Sequence, residues 1–315
     1  MQKSGPLFLT AAFGLAGTSV ISARLLSGHA GTFTITAASL AFALLLLLPL
    51  CRGRLMRAVR QMTLTDCIMI VLQALFGIFL FRLLLLQGVM RTSTAEAGLL
   101  TGATPSLTAS LAWIFLKERV TLRSITGVVC TAAGVLLIQG VTASRLSTEH
   151  LLGNVLVLGA AASESVFNII SRVSAVKAPQ ASPMNPIVQT ALVSALALLF
   201  CIIPMLFEQP LASLGALGVT HWLALGWYGV FVTALAFICW YAGIKRCPAS
   251  TAAAFTGLMP FTSLLLSVLL LGEKAGLEQW LGGALVIVGM VLIGLKSSRL
   301  PLAPIPSLTH ESGKR

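Results

Sequence analysis

Long apolar stretches, each followed by a short polar segment, run through almost the whole chain. Ten of them reach the roughly 17–25 residues that a helix needs to cross a bilayer. A strand of a membrane barrel would alternate apolar and polar residues, whereas these stretches are continuous, as between Ala41 and Leu50. They therefore predict helices, which satisfy their own backbone hydrogen bonds in lipid. The predicted spans are 6–25, 32–50, 66–89, 93–115, 124–141, 152–171, 185–206, 220–243, 249–271 and 279–296.

The composition excludes a water-soluble domain. Of the 315 residues, 57% are hydrophobic and only 10% are charged, whereas soluble domains carry about a quarter charged residues. A net charge of +12 can indicate a nucleic-acid partner, but here the basic residues form short clusters between spans instead of one patch. The six cysteines include no CxxC pair and mostly lie in or beside apolar runs. We therefore expect neither disulfides nor a metal site, and no cofactor.

The second half of the chain repeats the first. A shift of 155 residues superposes 97–138 on 252–293 without a gap and aligns Thr-Gly-x-x-Pro and Glu-x8-Gly-x6-Gly patterns. The same shift pairs Arg91 with Arg246. Because each half has an odd number of spans, the halves insert with opposite orientation, a plan common in secondary transporters. We predict two five-helix units, 6–141 and 152–296, and a disordered cytoplasmic tail, 297–315.

The positive charges predict the orientation in the membrane. With the N-terminus inside the cell, sixteen of the 21 Lys and Arg residues lie in inner segments, four in outer loops, and Arg82 within a span. Such an excess marks the cytoplasmic side, so that both termini are expected there. The tryptophans fall near span ends, which favours an interfacial belt or packing over ligand contact. Those near outer ends are Trp222, Trp227 and Trp280, and those near inner ends are Trp113 and Trp240.

Segment 95–119, AEAGLLTGATPSLTASLAWIFLKER, resembles the fourth helix of EamA-domain proteins of the drug/metabolite transporter superfamily, and Gly127 and Gly134 continue the match. Segment 249–274, with Pro260 and Leu-Gly-Glu-Lys, resembles the ninth helix, and 153–172 resembles the start of a second EamA repeat. The resemblance covers nearly the whole chain. It implies ten helices around a central cavity that is lined by spans 1, 3, 4, 6, 8 and 9. It also implies export or exchange of small metabolites; known family substrates include amino acids and their derivatives, nucleosides, vitamins and xenobiotics.

Ionisable residues inside the predicted spans are the candidates for substrate binding or coupling, because charge is costly in lipid. Arg82 suits a carboxylate or phosphate group; the alternatives are snorkelling to the surface or a structural ion pair. Glu164 shares a helix face with Asn168, and it could bind a cationic group, carry a proton or pair with Arg82. Glu96 opens span 4 near the outer surface, where a gate or substrate role competes with simple stabilisation by the helix dipole.

Two prolines inside spans 4 and 9 are candidates for hinges. A mid-helix proline kinks a helix, and transporters place binding sites at broken helices; the alternative is a fixed packing kink. The predicted hinge or cavity-lining residues are Thr101, Gly102, Pro105, Thr256, Gly257 and Pro260. A second set of matched glycines is expected to allow close helix packing, and it consists of Gly127, Gly134, Gly282 and Gly289.

These patterns predict an all-α integral membrane protein with ten transmembrane helices in two inverted repeats around a central cavity. The predicted function is a secondary transporter that exports a small polar or amphipathic metabolite across the bacterial inner membrane by alternating access. An amino-acid-like compound, a conjugate or a metallophore would fit, with protons as a candidate coupling ion. An importer or exchanger of the same fold is the alternative. An intramembrane enzyme is disfavoured because no nucleophile, acid–base pair or metal motif is clustered, and a channel because no filter-like motif occurs. The expected partners are the substrate and the bilayer, and a homodimer is compatible with the sequence.

Overall fold

The computed structural model describes residues 4–18, 22, 25–26, 28–51, 53–89, 91, 104–116, 121–138, 151–177, 184–247, 249–271 and 276–294. Within these ranges the chain forms helices and no strands. The helices are α1 (Ser4–Gly17), α2 (Thr32–Leu50), α3 (Arg54–Gln61), α4 (Leu64–Ala74), the π-helix π1 (Leu75–Leu80), α5 (Phe81–Val89), α6 (Thr104–Leu116), α7 (Leu122–Ile138), α8 (Leu151–Lys177), α9 (Pro186–Leu206), α10 (Pro210–Gly215), α11 (Val219–Trp227), the π-helix π2 (Tyr228–Leu235), α12 (Ala236–Ile244), α13 (Ala249–Phe255), α14 (Leu258–Leu271) and α15 (Leu277–Gly294).

Five helical stretches in the described ranges are long and apolar enough to cross a membrane: Thr32–Leu50, Leu64–Leu85, Leu151–Ala175, Pro186–Leu206 and Val219–Ile244. They correspond to the predicted second, third, sixth, seventh and eighth spans. The first and tenth predicted spans appear as the shorter apolar helices Ser4–Gly17 and Leu277–Leu292. The prediction of an all-helical protein rich in membrane-crossing helices is therefore confirmed at this level, while the predicted tail lies outside the described residues.

The helices pack around a core that joins the two halves of the chain. Helix α1 packs against α12 and α14, α8 packs against α5 and α6, and α2 packs against α9 and π2. The largest buried cluster draws apolar side chains from the first, second, third, sixth, seventh and eighth spans and from α13, among them Leu9, Phe13, Ile78, Phe167 and Tyr241. Neighbouring spans in sequence are thus linked mainly through helices of the other half.

Helices α7 and α15 approach each other closely through the matched glycines. A Cβ atom added to Gly134 would lie 2.5 Å from the Gly282 carbonyl oxygen, and one added to Gly289 would lie 2.6 Å from the Gly127 carbonyl oxygen. Only glycine can occupy such positions without moving a backbone, which is the physical basis of small-residue packing between membrane helices. The predicted packing role is confirmed for Gly134 and Gly289, and Gly127 and Gly282 supply the carbonyl oxygens that they approach.

The third and eighth spans each contain a π-helical segment that the apolar pattern did not reveal. In the third span π1 lies between α4 and α5, and in the eighth span π2 lies between α11 and α12. Within π2, the Thr233 hydroxyl donates to the Tyr228 carbonyl oxygen five residues earlier, at 2.9 Å. Wider turns of this kind re-aim the side chains that follow and often occur near functional sites.

The structure shows the surroundings of only one of the two prolines, because the residues before Thr104 lie outside the described ranges. The predicted kink at Pro105 therefore stays a prediction, whereas Pro260 closely follows a break in the helix of the ninth span. Pro260 is the third residue of α14. Proline is tolerated in the first turn because the amide hydrogen that it lacks would have no partner there. The break in the ninth span is at Thr256 and Gly257, both buried, which separate α13 from α14.

The tryptophans divide into an exposed set and one core residue. Trp113, Trp222, Trp227 and Trp280 are all at least 40% exposed, as expected for residues that face lipid or the interface. Trp240 is only 5% exposed, and its ring lies 5.6 Å from the Phe13 ring and 5.8 Å from the Phe167 ring. Of the two roles predicted for the tryptophans, interfacial belt or packing, Trp240 has the packing role.

Candidate substrate-binding site

Arg82 connects three spans. It lies in the first turn of α5, directly after π1, and is partly exposed. Its Nη1 donates a hydrogen bond to the Thr36 hydroxyl of α2 at 3.1 Å. Its guanidinium carbon lies 4.6 Å from the centre of the Tyr228 ring, at the start of π2. Such a cation–π contact stabilises the pair by about 0.5–2 kcal/mol. Both contacts are to neutral groups, so the guanidinium retains its charge and its capacity to bind an anion.

Glu164 lies on a polar stripe of α8 that faces the fourth span. Its carboxylate shares a side-chain hydrogen bond with Thr104, and one turn later Asn168 Nδ2 donates to the Thr108 hydroxyl at 3.3 Å. Residue numbers rise together from the Thr104–Glu164 pair to the Thr108–Asn168 pair, so α6 and α8 run in the same direction. Asn168 is 2% exposed, whereas Glu164 remains partly open.

The serines beside Glu164 attach the same stripe to its neighbours. Ser163 donates to the Phe76 carbonyl oxygen in π1 at 2.8 Å. Ser165 donates to the Ala161 carbonyl oxygen at 2.8 Å and approaches the Thr104 carbonyl oxygen at 3.4 Å. A helix of this composition avoids lipid by turning its polar face inward, and here that face lies between the third and fourth spans.

Arg82 and Glu164 lie on helices that pack together, but they have different partners. Arg82 contacts Thr36 and Tyr228, and Glu164 is bonded to Thr104. The alternative of a structural ion pair between them therefore finds no support in these contacts. The arrangement offers a cationic group and an acidic group that are separately held.

Aromatic rings lie next to these polar groups. The Phe79 ring, in π1, lies 5.8 Å from the Phe33 ring and 5.9 Å from the Phe200 ring. The Phe167 ring lies 5.9 Å from the partly exposed Phe237 ring. Rings of this kind supply apolar contact area beside hydrogen-bonding groups, which suits a substrate with both polar and apolar parts.

The structure leaves several predicted site residues outside its described ranges. Glu96, Thr101 and Gly102 belong to residues 92–103, so their roles stay predictions. Thr256 and Gly257 form the break in the ninth span and are buried. A hinge role for these two residues is compatible with their position but stays a prediction.

Glu208 is a structural acid that the sequence reasoning missed. Helix α2 begins after Gly31, which has no side chain to cap it. The Glu208 carboxylate supplies the cap from the end of α9: it accepts from the Phe33 and Thr34 amides at 3.1 and 2.8 Å and from the Thr34 hydroxyl at 2.9 Å. Negative charge is favourable at a helix N-terminus. A glycine at the N-cap position, with no capping side chain nearby in sequence, was the available signal.

Comparisons with known proteins agree with this architecture. Residues 3–140 and 151–295 each match the EamA-like transporter family. The uncharacterized transporter YetK of Bacillus subtilis is 29% identical over 303 residues, which cover 95% of this chain and 89% of YetK. A probable terminal-alkyne amino-acid exporter of Streptantibioticus cattleyicolor is 26% identical over 241 residues, 76% of this chain and 77% of that protein.

A solved crystal structure with 20% sequence identity shares the fold, with a TM-score of 0.74 over 94% of this chain and 98% of the other. The family match covers both halves of the chain and almost its full length. The helices of the described ranges supply the apolar, membrane-crossing elements that such a transporter requires. This multi-pass membrane protein therefore belongs to the EamA-like transporter family.

Proposed function

We propose that this transporter exports a small polar or amphipathic metabolite across the bacterial inner membrane by alternating access. The substrate would be an amino-acid-like compound, a conjugate or a metallophore. Arg82 would bind its anionic group, and Glu164 with Asn168 would bind a cationic group or carry a proton. The observation that carries the proposal is that Arg82 and Glu164 are both held by neutral hydroxyl or ring groups on packed spans. Neither contact set pairs the two groups with each other, so both are available to a substrate.

The helix packing supports two inverted five-helix repeats. Helix α1 packs on α12, and their counterparts 155 residues away, α8 and α5, pack on each other in the same way. Two further contacts join a helix to its own counterpart: α2 packs on α9, and α7 packs on α15. The π-helices π1 and π2 end at residues 80 and 235, which are also 155 residues apart. Equivalent contacts in two halves are the expected consequence of a pseudo-two-fold axis in the membrane plane. The positive-inside count then favours cytoplasmic termini.

One relative supports the class of substrate and the direction. The Streptantibioticus cattleyicolor protein is named as a probable amino-acid exporter, and an amino acid carries the two opposite charges that Arg82 and Glu164 would bind. Importers and exchangers share the geometry of alternating access, so an importer or exchanger is the alternative function.

The test compares small molecules in the medium and the cytosol of three strains: one without the protein, one with it, and one with Glu164→Gln. Export predicts a metabolite that accumulates inside the first strain and appears outside only in the second. Glu164→Gln removes the acid but keeps a similar shape, so that export should fall. Glu278→Gln is the matched control, since Glu278 is an exposed acid in the first turn of α15.

Depletion of a metabolite from the medium by the active protein would establish import and contradict export. If the Glu164→Gln protein, present at wild-type level in the membrane, exported normally, the role of Glu164 would be wrong. The oligomeric state, for which a homodimer was considered, stays a prediction that native mass spectrometry would test.

A further inference from the structure

Five buried side-chain polar groups have no hydrogen-bond partner among the described residues, and two of them are Ser194 and Trp240. The other three belong to the third, sixth and eighth spans. They are the Gln73 Nε2, the Ser171 hydroxyl and the Tyr241 hydroxyl, and all three side chains are 0% exposed. The other end of the Gln73 amide is engaged, since its Oε1 accepts from Gln189 Nε2 at 3.0 Å. Buried polar groups nearly always have partners, so three donors without one deserve a chemical explanation.

The third and sixth spans pack in opposite directions, which fixes the level of these groups. A Cβ on Gly88 would lie 2.7 Å from the Val157 side chain, and a Cβ on Gly77 would lie 2.4 Å from the Phe167 ring. The residue numbers fall along one span as they rise along the other. Residues one turn before Gly77 and one turn after Phe167 are therefore neighbours.

Gln73 and Ser171 occupy those two positions. Gln73 lies four residues before Gly77, and Ser171 lies four residues after Phe167, on the same helix faces. The Tyr241 ring lies 6.4 Å from the Phe167 ring and brings the eighth span to the same level. The three unpaired groups thus form one layer, which we call the inner polar layer.

Positive charge lies beside the inner polar layer. Arg172, which follows Ser171, is 3% exposed and donates to the Ile244 carbonyl oxygen at 2.7 Å. Lys245 donates to the Met184 carbonyl oxygen. The acids of the described ranges are engaged or placed elsewhere: Asp66 caps α4, Glu164 bonds Thr104, Glu208 caps α2, and Glu278 opens α15. Neutral donors next to cations form an environment that favours an anionic oxygen group.

The repeat relates this layer to the Arg82 site. The shift of 155 residues places Gln73 on Tyr228, which holds the Arg82 guanidinium. In inverted repeats such pairs lie at equal depths on opposite sides of the membrane midplane. The inner polar layer is then the cytoplasmic counterpart of the outer Arg82 site.

We propose that Gln73, Ser171 and Tyr241 form a cytoplasmic-side subsite for the carboxylate or phosphate group of the transported molecule. The substrate would enter through this subsite and pass its anionic group to Arg82 as the two halves rock. This inference rests on the proposed alternating-access function. The anionic group of the substrate would accept the hydrogen bonds that the three groups of the inner polar layer otherwise lack.

The first test measures access and charge preference without transport. Gln73→Cys protein in inside-out vesicles is treated with a negatively charged sulfonatoethyl or a positively charged trimethylammonioethyl methanethiosulfonate, and modification is read by peptide mass spectrometry. Native Cys67, which is exposed near the start of α4, normalises each rate. The subsite predicts that the anionic reagent reacts on the order of tenfold faster, because a positive site concentrates anions. Lys245→Gln should reduce this preference.

Ser194→Cys is the matched control. Ser194 is another buried hydroxyl without a partner, but it is five residues from Gln189 on α9 and so faces away from the layer. It should react with neither reagent. Equal rates for the two reagents at Cys-substituted position 73, or no reaction there, would overturn the proposal even if the protein exports a metabolite. A charge preference in a protein that exports nothing would retain the subsite and reject the transport direction.

The second test separates binding from structure. Tyr241→Phe and Ser171→Ala each remove an unpaired hydroxyl and change little volume, so the melting temperature of the purified protein should stay the same or rise. Transport of the metabolite identified above should nevertheless fall severalfold, with the loss expressed mainly in KM. A lower melting temperature together with unchanged transport would mean that the layer only holds the fold.

Discussion

The Arg82 guanidinium is held by the Thr36 hydroxyl and the Tyr228 ring, which belong to two other spans. Substitutions at Arg82 can therefore test its charge and its planar shape separately. Arg82→Gln should lower the export rate about tenfold or more, because a charged hydrogen bond to substrate is lost. Arg82→Lys should retain part of the activity, since Lys keeps the charge but lacks the planar group that stacks on Tyr228. Initial rates in proteoliposomes measure both.

The control for Arg82 is Arg91→Gln, two residues beyond the end of the same span. Arg91 is exposed, and among the described residues it bonds the carbonyl oxygen and the side chain of Gln87. Its substitution should leave the rate unchanged. Equal losses in the two variants would indicate a general effect of charge at the membrane surface and would contradict a specific role for Arg82.

Lys245, just after the eighth span, should make stability depend on pH. Burial, together with the nearby Arg246 charge, lowers the pKa of Lys245 from 10.5 to about 8. Between these two values the unfolded chain binds more protons than the folded protein, so stability rises with pH across that window. The melting temperature in detergent should therefore rise between pH 7.5 and 9.5 more steeply in the wild type than in Lys245→Met. Identical slopes would show that the lysine titrates normally.

At the scale of elements, the α7–α15 contact depends on backbone approach. Gly134→Ala should destabilise the protein by about 1–3 kcal/mol, because the new Cβ would lie 2.5 Å from the Gly282 carbonyl oxygen. This exceeds the roughly 0.5–1 kcal/mol that alanine gains over glycine in a helix. Thermal unfolding measures the difference. Gly226→Ala is the control, since nothing lies within 4 Å of its added Cβ, and it should be neutral or stabilising.

At the scale of the whole molecule, Arg91 and Arg246 distinguish inverted repeats from parallel ones. The 155-residue shift pairs them, and both are exposed. Inverted repeats place them on opposite sides of the membrane, whereas parallel repeats would place them on the same side. A membrane-impermeant maleimide should label Arg91→Cys in intact spheroplasts and Arg246→Cys only in inside-out vesicles. Labelling of both variants in the same preparation would exclude the inverted arrangement.

The elements that sequence predicted well are those that depend on local composition. A long apolar segment is stable in lipid and not in water, so the spans that contain α2, α8 and α9 could be recognised from hydropathy alone. The glycine matches between Gly134 and Gly289 carried their packing role in the repeat itself. The position of the break in the ninth span, at Thr256 and Gly257, was not predicted residue by residue, because an apolar run does not show where a helix that contains a proline will end.

By itself, the sequence determined that this chain is helical, lies in the membrane, repeats itself and places Arg82 and Glu164 in apolar spans. Each of these follows from residue type and spacing along a single stretch. Tertiary structure alone decided the partners, which are Thr36 and Tyr228 for Arg82 and Thr104 for Glu164. These contacts join residues tens to more than a hundred positions apart, and apolar helices of similar composition can pack in many registers. Close packing around small residues and π-helical turns selects one of them.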